Sequence, residues 1–211
     1  MIPKPLVLLA ALALAPVAHA QFAVYGTFNV EQLSNIQSSP LAISGVAYNN
    51  SVNPIGGTAG IYYDFKNFGP VRIGADLRGT IQRDNRGGQA ASNGSGTRIQ
   101  SGLLGVRAVF HTPINILKPY GQLSGGIGRS NYGFLLTRNT GNTGDFTPSN
   151  ITLVNNFEYH VYAGLDIKVL PVMDFRLVEF GYGGLASFGT NSHNYPLKSV
   201  SSGVVFHFPT F

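Results

Sequence analysis

The stretch FEYHVYAGLDIKV, residues 157–169, alternates strictly between two kinds of side chain. Every odd position is apolar or aromatic, whereas the even positions include Glu158, His160, Asp166 and Lys168. Because successive side chains of a β-strand point to opposite faces, the pattern predicts a long strand. One face of that strand carries no charge, and the other carries charges of both signs. Such a strand separates an apolar environment from a polar one.

The same alternation recurs along the chain between segments rich in turn-forming residues. It predicts eight strands, at 22–30, 58–65, 71–82, 101–110, 120–128, 157–169, 174–185 and 200–208. The connections alternate between long and short, which is typical of an up-and-down barrel with tight periplasmic turns and longer external loops. We therefore expect an all-β fold over residues 21–211, an eight-stranded antiparallel transmembrane β-barrel.

Composition excludes several other classes of protein. Only 11% of the residues are charged, whereas soluble domains have about 25%. After residue 20 the chain has no apolar run of the roughly 20 residues that a transmembrane helix needs. Cysteine is absent, so disulfides cannot contribute. The basic residues are not clustered, so we expect no binding to nucleic acid.

The first twenty residues, MIPKPLVLLAALALAPVAHA, differ from the rest of the chain. Lys4 precedes a short apolar run, which is followed by Pro16 and by Ala18-His19-Ala20. A basic start, a short apolar core and a small-x-small end are typical of a cleaved signal peptide. We expect residues 1–20 to be removed before the barrel forms.

A soluble eight-stranded barrel would show the same alternation with its faces inverted. Glycines favour the membrane alternative because they lie on the charged face, and small residues among long ones suit the crowded interior of an eight-stranded barrel. They are Gly60, Gly74, Gly105, Gly126, Gly128, Gly164 and Gly203. Aromatic residues lie near the strand ends on the uncharged face, as in interfacial girdles. We therefore expect the uncharged face to contact lipid in a bacterial outer membrane.

With the faces assigned in this way, the charged side chains point into the lumen. The predicted lumen charge network consists of Asp64, Arg72, Asp76, Arg78, Arg107, Asp166, Lys168, Arg176 and Glu179. An unpaired buried charge is costly, so we expect these groups to form salt bridges that plug the lumen. Arg176 and Glu179 are three residues apart and can both face inward only if the strand bulges near 177–178.

The last predicted strand carries the most specific motif. SSGVVFHF, residues 201–208, resembles the C-terminal signal of bacterial outer-membrane barrels, in which a polar residue, a glycine and two aromatics recur at fixed spacing. The matching positions are Ser201, Gly203, Phe206 and Phe208. The resemblance implies recognition by the barrel-assembly machinery. Three residues follow Phe208 here, so either Phe208 or Phe211 could be the terminal aromatic that is read.

RLVEFGY, residues 176–182, is similar to the penultimate strand of small OmpA/OmpX-like outer-membrane barrels. This resemblance extends over residues 21–211 in pattern but is specific only at the last strand. It implies a monomeric barrel without a cofactor, surrounded by the lipid bilayer and lipopolysaccharide.

Three functions remain open at this point. The first is a structural or surface-interaction role through external loops at about 31–57, 84–98, 130–156 and 186–199. The second is a small gated pore that opens when charges in the lumen exchange partners; a static polar core is the simpler interpretation. The third is an enzyme that modifies lipid A.

An enzyme of this kind would need Ser, His and an acidic residue within hydrogen-bond reach. The candidate histidines are His160 near Glu158 and His193 beside Ser192, and neither belongs to a complete set. No nucleotide-binding or metal-binding motif is present in the sequence. We therefore do not expect an enzyme, a cofactor or a bound metal.

Overall fold

The computed structural model describes residues 21–34, 51–84, 97–114, 116–130, 154–188 and 194–208. The predicted signal peptide, most of the predicted external loops, His193 and the three residues after Phe208 lie outside these ranges. Within them no helix is long and apolar enough to cross a membrane.

The described chain forms eight long β-strands and one short one. They are β1 (Gln21–Ser34), β2 (Ser51–Val52), β3 (Ile55–Phe68), β4 (Val71–Asp84), β5 (Thr97–Phe110), β6 (Leu117–Ser130), β7 (Val154–Leu170), β8 (Met173–Ser187) and β9 (Asn194–Phe208). Each of the eight predicted strands is confirmed, and each is longer than its alternation pattern indicated. The two-residue β2 pairs only with the end of β1.

The long strands form one closed antiparallel barrel. Each pairs with its neighbours in chain order, and β1 also pairs with β9, where Phe22 lies opposite Phe208. Closure gives every spanning strand two hydrogen-bonded neighbours, as a bilayer requires. The short connections at 69–70, 111–116 and 171–172 lie at the end of the barrel that also holds Gln21 and Phe208. Short turns mark the periplasmic end in barrels of this kind.

The outer surface of the barrel is apolar and the lumen is polar. Leu104 and Leu123 on neighbouring strands are 65% and 63% exposed, respectively, and most other outward positions are also large apolar residues. Aromatic side chains lie on the same surface near the strand ends, for example Phe65, Phe110 and Phe208. This arrangement confirms the predicted assignment of faces and excludes a soluble barrel with an apolar interior.

The penultimate strand contains a bulge between Arg176 and Glu179, the condition under which both residues can face inward. On β8 and β9, Arg176 pairs with Gly203 and Glu179 pairs with Ser201, so two residues of β8 lie opposite one residue of β9. Leu177, within the bulge, is 46% exposed on the outside. Arg176 and Glu179 are both buried in the lumen.

Candidate functional site

The middle of the lumen holds three guanidinium groups and three carboxylates. Arg78 connects several of them, because its Nε donates to Asp76 Oδ1 (3.1 Å) and its Nη1 donates to Glu179 Oε1 (3.0 Å). Its Nη2 donates to Gln122 Oε1 at 2.9 Å. Arg78 thereby joins β4, β6 and β8 across the barrel.

Two further arginines complete the charge balance. Arg107 Nη2 lies 2.7 Å from Asp166 Oδ2, and Arg176 Nε lies 2.9 Å from Asp166 Oδ1. Arg176 Nη1 also lies 3.3 Å from Glu179 Oε2. Asp166 and Glu179 therefore each bridge two guanidinium groups. Every guanidinium group in this layer has a carboxylate partner, as buried charges require.

Tyrosine side chains fill the space between these charges. Tyr120 Oη donates to Glu179 Oε2 at 2.6 Å, and Tyr25 Oη donates to Asp76 Oδ2 at 2.9 Å. The guanidinium carbon of Arg107 lies 3.8 Å from the centre of the Tyr120 ring. Stacking of this kind adds cation–π attraction to the ion pairs.

Inward glycines make room for the tyrosine rings. Tyr25 pairs with Gly60 across β1 and β3, and Tyr120 pairs with Gly164 across β6 and β7. A Cβ atom at either glycine would overlap the facing ring. The glycines that sequence patterning placed on the polar face therefore have a packing role there.

We call these side chains the central network. It comprises Tyr25, Tyr62, Asp76, Arg78, Arg107, Tyr120, Gln122, Tyr162, Asp166, Arg176, Glu179 and Ser201, so that every long strand contributes at least one member. Sequence reasoning selected the six charged members. It did not select the tyrosines or Gln122, although Tyr120 and Gln122 fall on the polar face of their predicted strand.

Two of the predicted charges lie outside the central network and contact each other. Arg72 Nη1 is 3.9 Å from Asp64 Oδ2 near the periplasmic end of the barrel. Arg72 Nε donates to Asn67 Oδ1 at 3.0 Å, and its side chain is partly exposed. This pair belongs to the barrel rim, because both residues lie close to the turn between β3 and β4.

The prediction for Lys168 is wrong. Its side chain is exposed, since it lies two residues before the end of β7, beyond the enclosed part of the lumen. Asp174, which pairs with Lys168 across the strands, instead binds Lys118 Nζ (2.6 Å) and lies 2.6 Å from His207 Nε2. Sequence reasoning missed Lys118 and Asp174. Extending the predicted strand 120–128 by two residues at its N-terminal end would have placed Lys118 on the lumen side.

The outer half of the lumen differs from the centre. His160 Nε2 lies 3.1 Å from Glu158 Oε1, and the His160 ring stacks on Tyr162 with ring centres 5.0 Å apart. Farther out, four buried apolar side chains form a cluster inside the mouth, and we call it the apolar cap: Leu33, Ile99, Leu185 and Leu197. Sequence reasoning missed the cap, because three of its residues lie beyond the predicted strand ends.

The residues of the C-terminal motif are divided between the two faces of β9. Ser201 Oγ donates to Glu179 Oε1 at 3.2 Å in the lumen, and Gly203 faces Thr27 of β1 at the closing seam. Phe206 and Phe208 are exposed on the outer surface, and the Phe208 ring centre is 5.6 Å from that of Phe22. The motif thus lies along the β1–β9 pairing that closes the barrel.

Within the described ranges, no group of three or more His, Asp or Glu side chains is arranged to hold a metal ion. The polar lumen contains ion pairs and hydrogen bonds between side chains. These contacts hold the strands together across the barrel.

Comparison with known proteins was made at the level of sequence and of fold. No protein-family model matches the sequence, and no curated protein matches it. Neisserial surface protein A (NspA) is similar in structure, with a TM-score of 0.53 and 16% identity over 90% of this chain and 99% of NspA. Ail, the attachment invasion locus protein of Yersinia pestis, has a TM-score of 0.51 and 12% identity, covering 90% of this chain and 97% of Ail.

This is the fold of small bacterial outer-membrane β-barrels. Identities of 16% and 12% establish shared architecture and not shared activity. An apolar outer surface on a closed barrel is suited to lipid and unsuited to water. The protein is located in the bacterial outer membrane.

Proposed function

We propose that this outer-membrane barrel is a non-conducting, monomeric scaffold that carries its external loops at the cell surface. The observation that carries the proposal is the composition of the central network. Three guanidinium groups and three carboxylates balance within it, and all eight long strands contribute to it. Eight-stranded barrels have an interior only wide enough for side chains, so a network of this kind leaves no aqueous path.

Glu179 illustrates why opening the network is unfavourable. It accepts hydrogen bonds from Arg78, Arg176, Tyr120 and Ser201. A gate that works by moving Glu179 to new partners would leave several of these donors without an acceptor. Leaving buried polar groups unsatisfied costs about 1–3 kcal/mol each, and more for charged groups. This cost favours a static core over a gated pore.

Single-channel recording in planar bilayers tests the proposal. We expect near-zero conductance for the wild-type barrel and for Glu179→Ala, since the apolar cap remains in the variant. Stable conducting states in the wild type would contradict a closed lumen. Conductance that appears only in Glu179→Ala would support the gated-pore alternative.

The surface-interaction part of the proposal concerns the external loops at about 31–57, 84–98, 130–156 and 186–199. Binding residues concentrate on loops held by a rigid scaffold. NspA is named a surface protein and Ail an attachment invasion locus protein, which supports an attachment assay as the first test. Attachment to host cells is compared for three sets of bacteria. They produce the wild-type barrel, a barrel with 131–153 replaced by a short Gly-Ser linker, or no barrel. Equal attachment by all three would leave only a structural role.

We infer that the barrel does not catalyse a reaction. Of the two candidate catalytic histidines, the structure describes His160, and the side chains of His160 and its neighbour Glu158 are just 1% and 3% exposed inside the lumen. A lipid substrate outside the barrel could not reach them. Mass spectra of lipid A from cells with and without the protein should be identical, and a shift by one acyl chain would contradict the inference.

A further inference from the structure

The outer half of the lumen differs from the central network in its charge balance. In the central network, three arginines face three carboxylates. Toward the extracellular end, three more carboxylates are buried, those of Glu31, Asp84 and Glu158, and the base that accompanies them is His160. Within the described ranges, every buried arginine belongs to the central network and no lysine is buried. The outer half of the lumen therefore has an excess of negative charge.

Asp84 is the outermost of these carboxylates and has a partner at the mouth of the barrel. It is the last residue of β4, and its Oδ2 accepts a hydrogen bond from the backbone N–H of Asn53 at 3.0 Å. Glu31 lies deeper, before the end of β1, and is just 4% exposed. The excess charge inside the lumen is thus carried by Glu31 and Glu158.

Small residues allow the Glu31 carboxylate to face β7 across the lumen. Ser199 of β9 pairs with Glu31, and Gly181 of β8 pairs with Ser199, so no large side chain lies between β1 and β7 at this level. The charged side chains that act on Glu31 are those of Glu158 and His160. We call Glu31, Glu158 and His160 the outer acid cluster.

Hydrogen-bond acceptors outnumber donors around Glu31. His160 Nε2 lies 3.1 Å from Glu158 Oε1, so one oxygen of Glu158 faces a base. Among the described residues, nothing donates to Glu31 Oε1 or to Glu158 Oε2. Gln82 is wholly buried and directed at Glu31, and its Oε1 also accepts no hydrogen bond. One additional donor is needed in this space.

The neighbouring strands supply no charge that compensates Glu31. Arg78 lies 4.0 Å from the centre of the Tyr162 ring, on which His160 stacks, and the ion pairs of Arg78 are made within the central network. In the outer half of the lumen, inward residues of the other described strands are uncharged, for example Gly56 on β3, Ser101 on β5, Gly128 on β6 and Gly183 on β8.

A proton would supply both the missing charge and the missing donor. A carboxylate that is buried without a paired cation takes up a proton in preference to remaining ionised. On Glu31 this proton turns one oxygen into an O–H donor, for which Glu158 Oε2 and Gln82 Oε1 are available acceptors. A metal ion would need a fuller set of ligands, and the described residues provide no group of three or more acidic or histidine side chains arranged to hold one.

We propose that the outer acid cluster binds one proton at neutral pH, held on Glu31 and donated in a hydrogen bond to Glu158 or Gln82. In the unfolded chain Glu31 is ionised at this pH, because an exposed glutamate titrates near about pH 4.3. Folding therefore takes up a proton. Since the folded state binds more protons than the unfolded state, the free energy of unfolding falls as the pH rises. Beyond its scaffold role, the barrel is thus more stable in acid than in alkali.

Urea unfolding of the refolded barrel in lipid vesicles, between about pH 5 and about pH 8, tests the proposal. Glu31→Gln is the informative variant, because its amide mimics the protonated carboxyl group and does not titrate. We expect the unfolding equilibrium constant of the wild type, relative to that of Glu31→Gln, to increase by up to about tenfold per pH unit. At the alkaline end, Glu31→Gln should be at least as stable as the wild type.

Glu179→Gln is the matched control. It replaces a buried carboxylate in the same way, but Glu179 has Arg78 and Arg176 as partners. A carboxylate paired with two arginines is ionised throughout this pH range, so the control should be less stable than the wild type by a factor that does not change with pH. Heat-modifiable migration on gels verifies that each variant is folded.

Infrared spectroscopy of the folded barrel locates the proton independently of stability. The carbonyl band of a protonated carboxyl group should be present in the wild type at neutral pH. It should be absent in Glu31→Gln and retained in Glu179→Gln.

Three outcomes would overturn the proposal. A ratio of wild type to Glu31→Gln that stays constant with pH would show that Glu31 is ionised in the folded barrel. A pH dependence that persists in Glu31→Gln and disappears in His160→Gln would place the proton on the imidazole. Absence of the carboxyl band from the wild-type spectrum would exclude a protonated glutamate.

Discussion

Arg176 and Glu179 lie three residues apart on β8, yet both side chains are buried in the lumen and Arg176 Nη1 is 3.3 Å from Glu179 Oε2. A regular strand would place them on opposite faces. The bulge at 177–178 shifts the register by one residue and turns Glu179 inward. Without it, a carboxylate would face lipid and two arginines would lose a partner.

Deleting Val178 should preserve the central network. In the shortened strand, Arg176 and Glu179 are two residues apart and face the same side without a bulge. We expect urea unfolding to show a loss well below the about 3–5 kcal/mol that breaking a buried ion pair costs. Deleting Phe180 instead reverses the faces of the residues that follow. A variant that folds as well without Phe180 as without Val178 would contradict this account of the bulge.

Arg107→Ala should strongly destabilise the barrel. The Arg107 side chain is 1% exposed, lies against the Tyr120 ring and pairs with Asp166. Removing one member of a buried pair costs about 3–5 kcal/mol. Arg129→Ala on the outer surface is the control, with an expected loss below about 1 kcal/mol. Similar losses for both variants in urea unfolding would argue against a tightly coupled central network.

Gly164→Ala should disturb the position of Tyr120. The added methyl group would overlap the Tyr120 ring and displace its hydroxyl group from Glu179. Overpacking of this kind typically costs about 1–3 kcal/mol. Gly102→Ala is the matched control, because its added methyl group meets open space. The unfolding free energies of the two variants should differ clearly, and equal values would contradict the packing role of Gly164.

Leu104→Arg tests the contact between the outer surface and lipid. Leu104 is 65% exposed on the outside of β5. An arginine facing the middle of the bilayer costs about 2–4 kcal/mol in a barrel. Leu104→Ile should leave the unfolding free energy in lipid vesicles nearly unchanged. If Leu104→Arg were equally well tolerated, position 104 could not face hydrocarbon.

Phe208→Ala should clearly reduce the amount of folded barrel in the outer membrane of cells. It should change the unfolding free energy of the refolded protein much less. The prediction follows from the resemblance of residues 201–208 to an assembly signal. Phe65→Ala is the control, since Phe65 and Phe208 are 55% and 49% exposed on the outer surface. Outer-membrane levels and urea unfolding are measured for both variants. Equal losses in cells would indicate a lipid-facing role for Phe208 and no assembly signal.

The sequence pattern was sufficient to predict the strand number, the closed antiparallel topology and which face meets lipid. The strands and their lipid-facing side follow from a period of two, because one residue of slip would place a whole set of side chains on the wrong side. The topology follows from the alternation of long and short connections. The sequence left the bulge in β8 open, because it showed only that Arg176 and Glu179 could both face inward if the strand bulged. This information is local to single strands and to the connections between them.

Contacts between strands far apart in the sequence were not predictable. Alternation showed that Arg78 and Glu179 face inward, but their pairing across the lumen depends on barrel closure and stagger. For the same reason, Lys168 was assigned to the lumen although it lies past the enclosed region, and the apolar cap was overlooked. A strand's own residues carry its periodicity, whereas the depth of each residue and its partner across the barrel depend on how all eight strands are aligned.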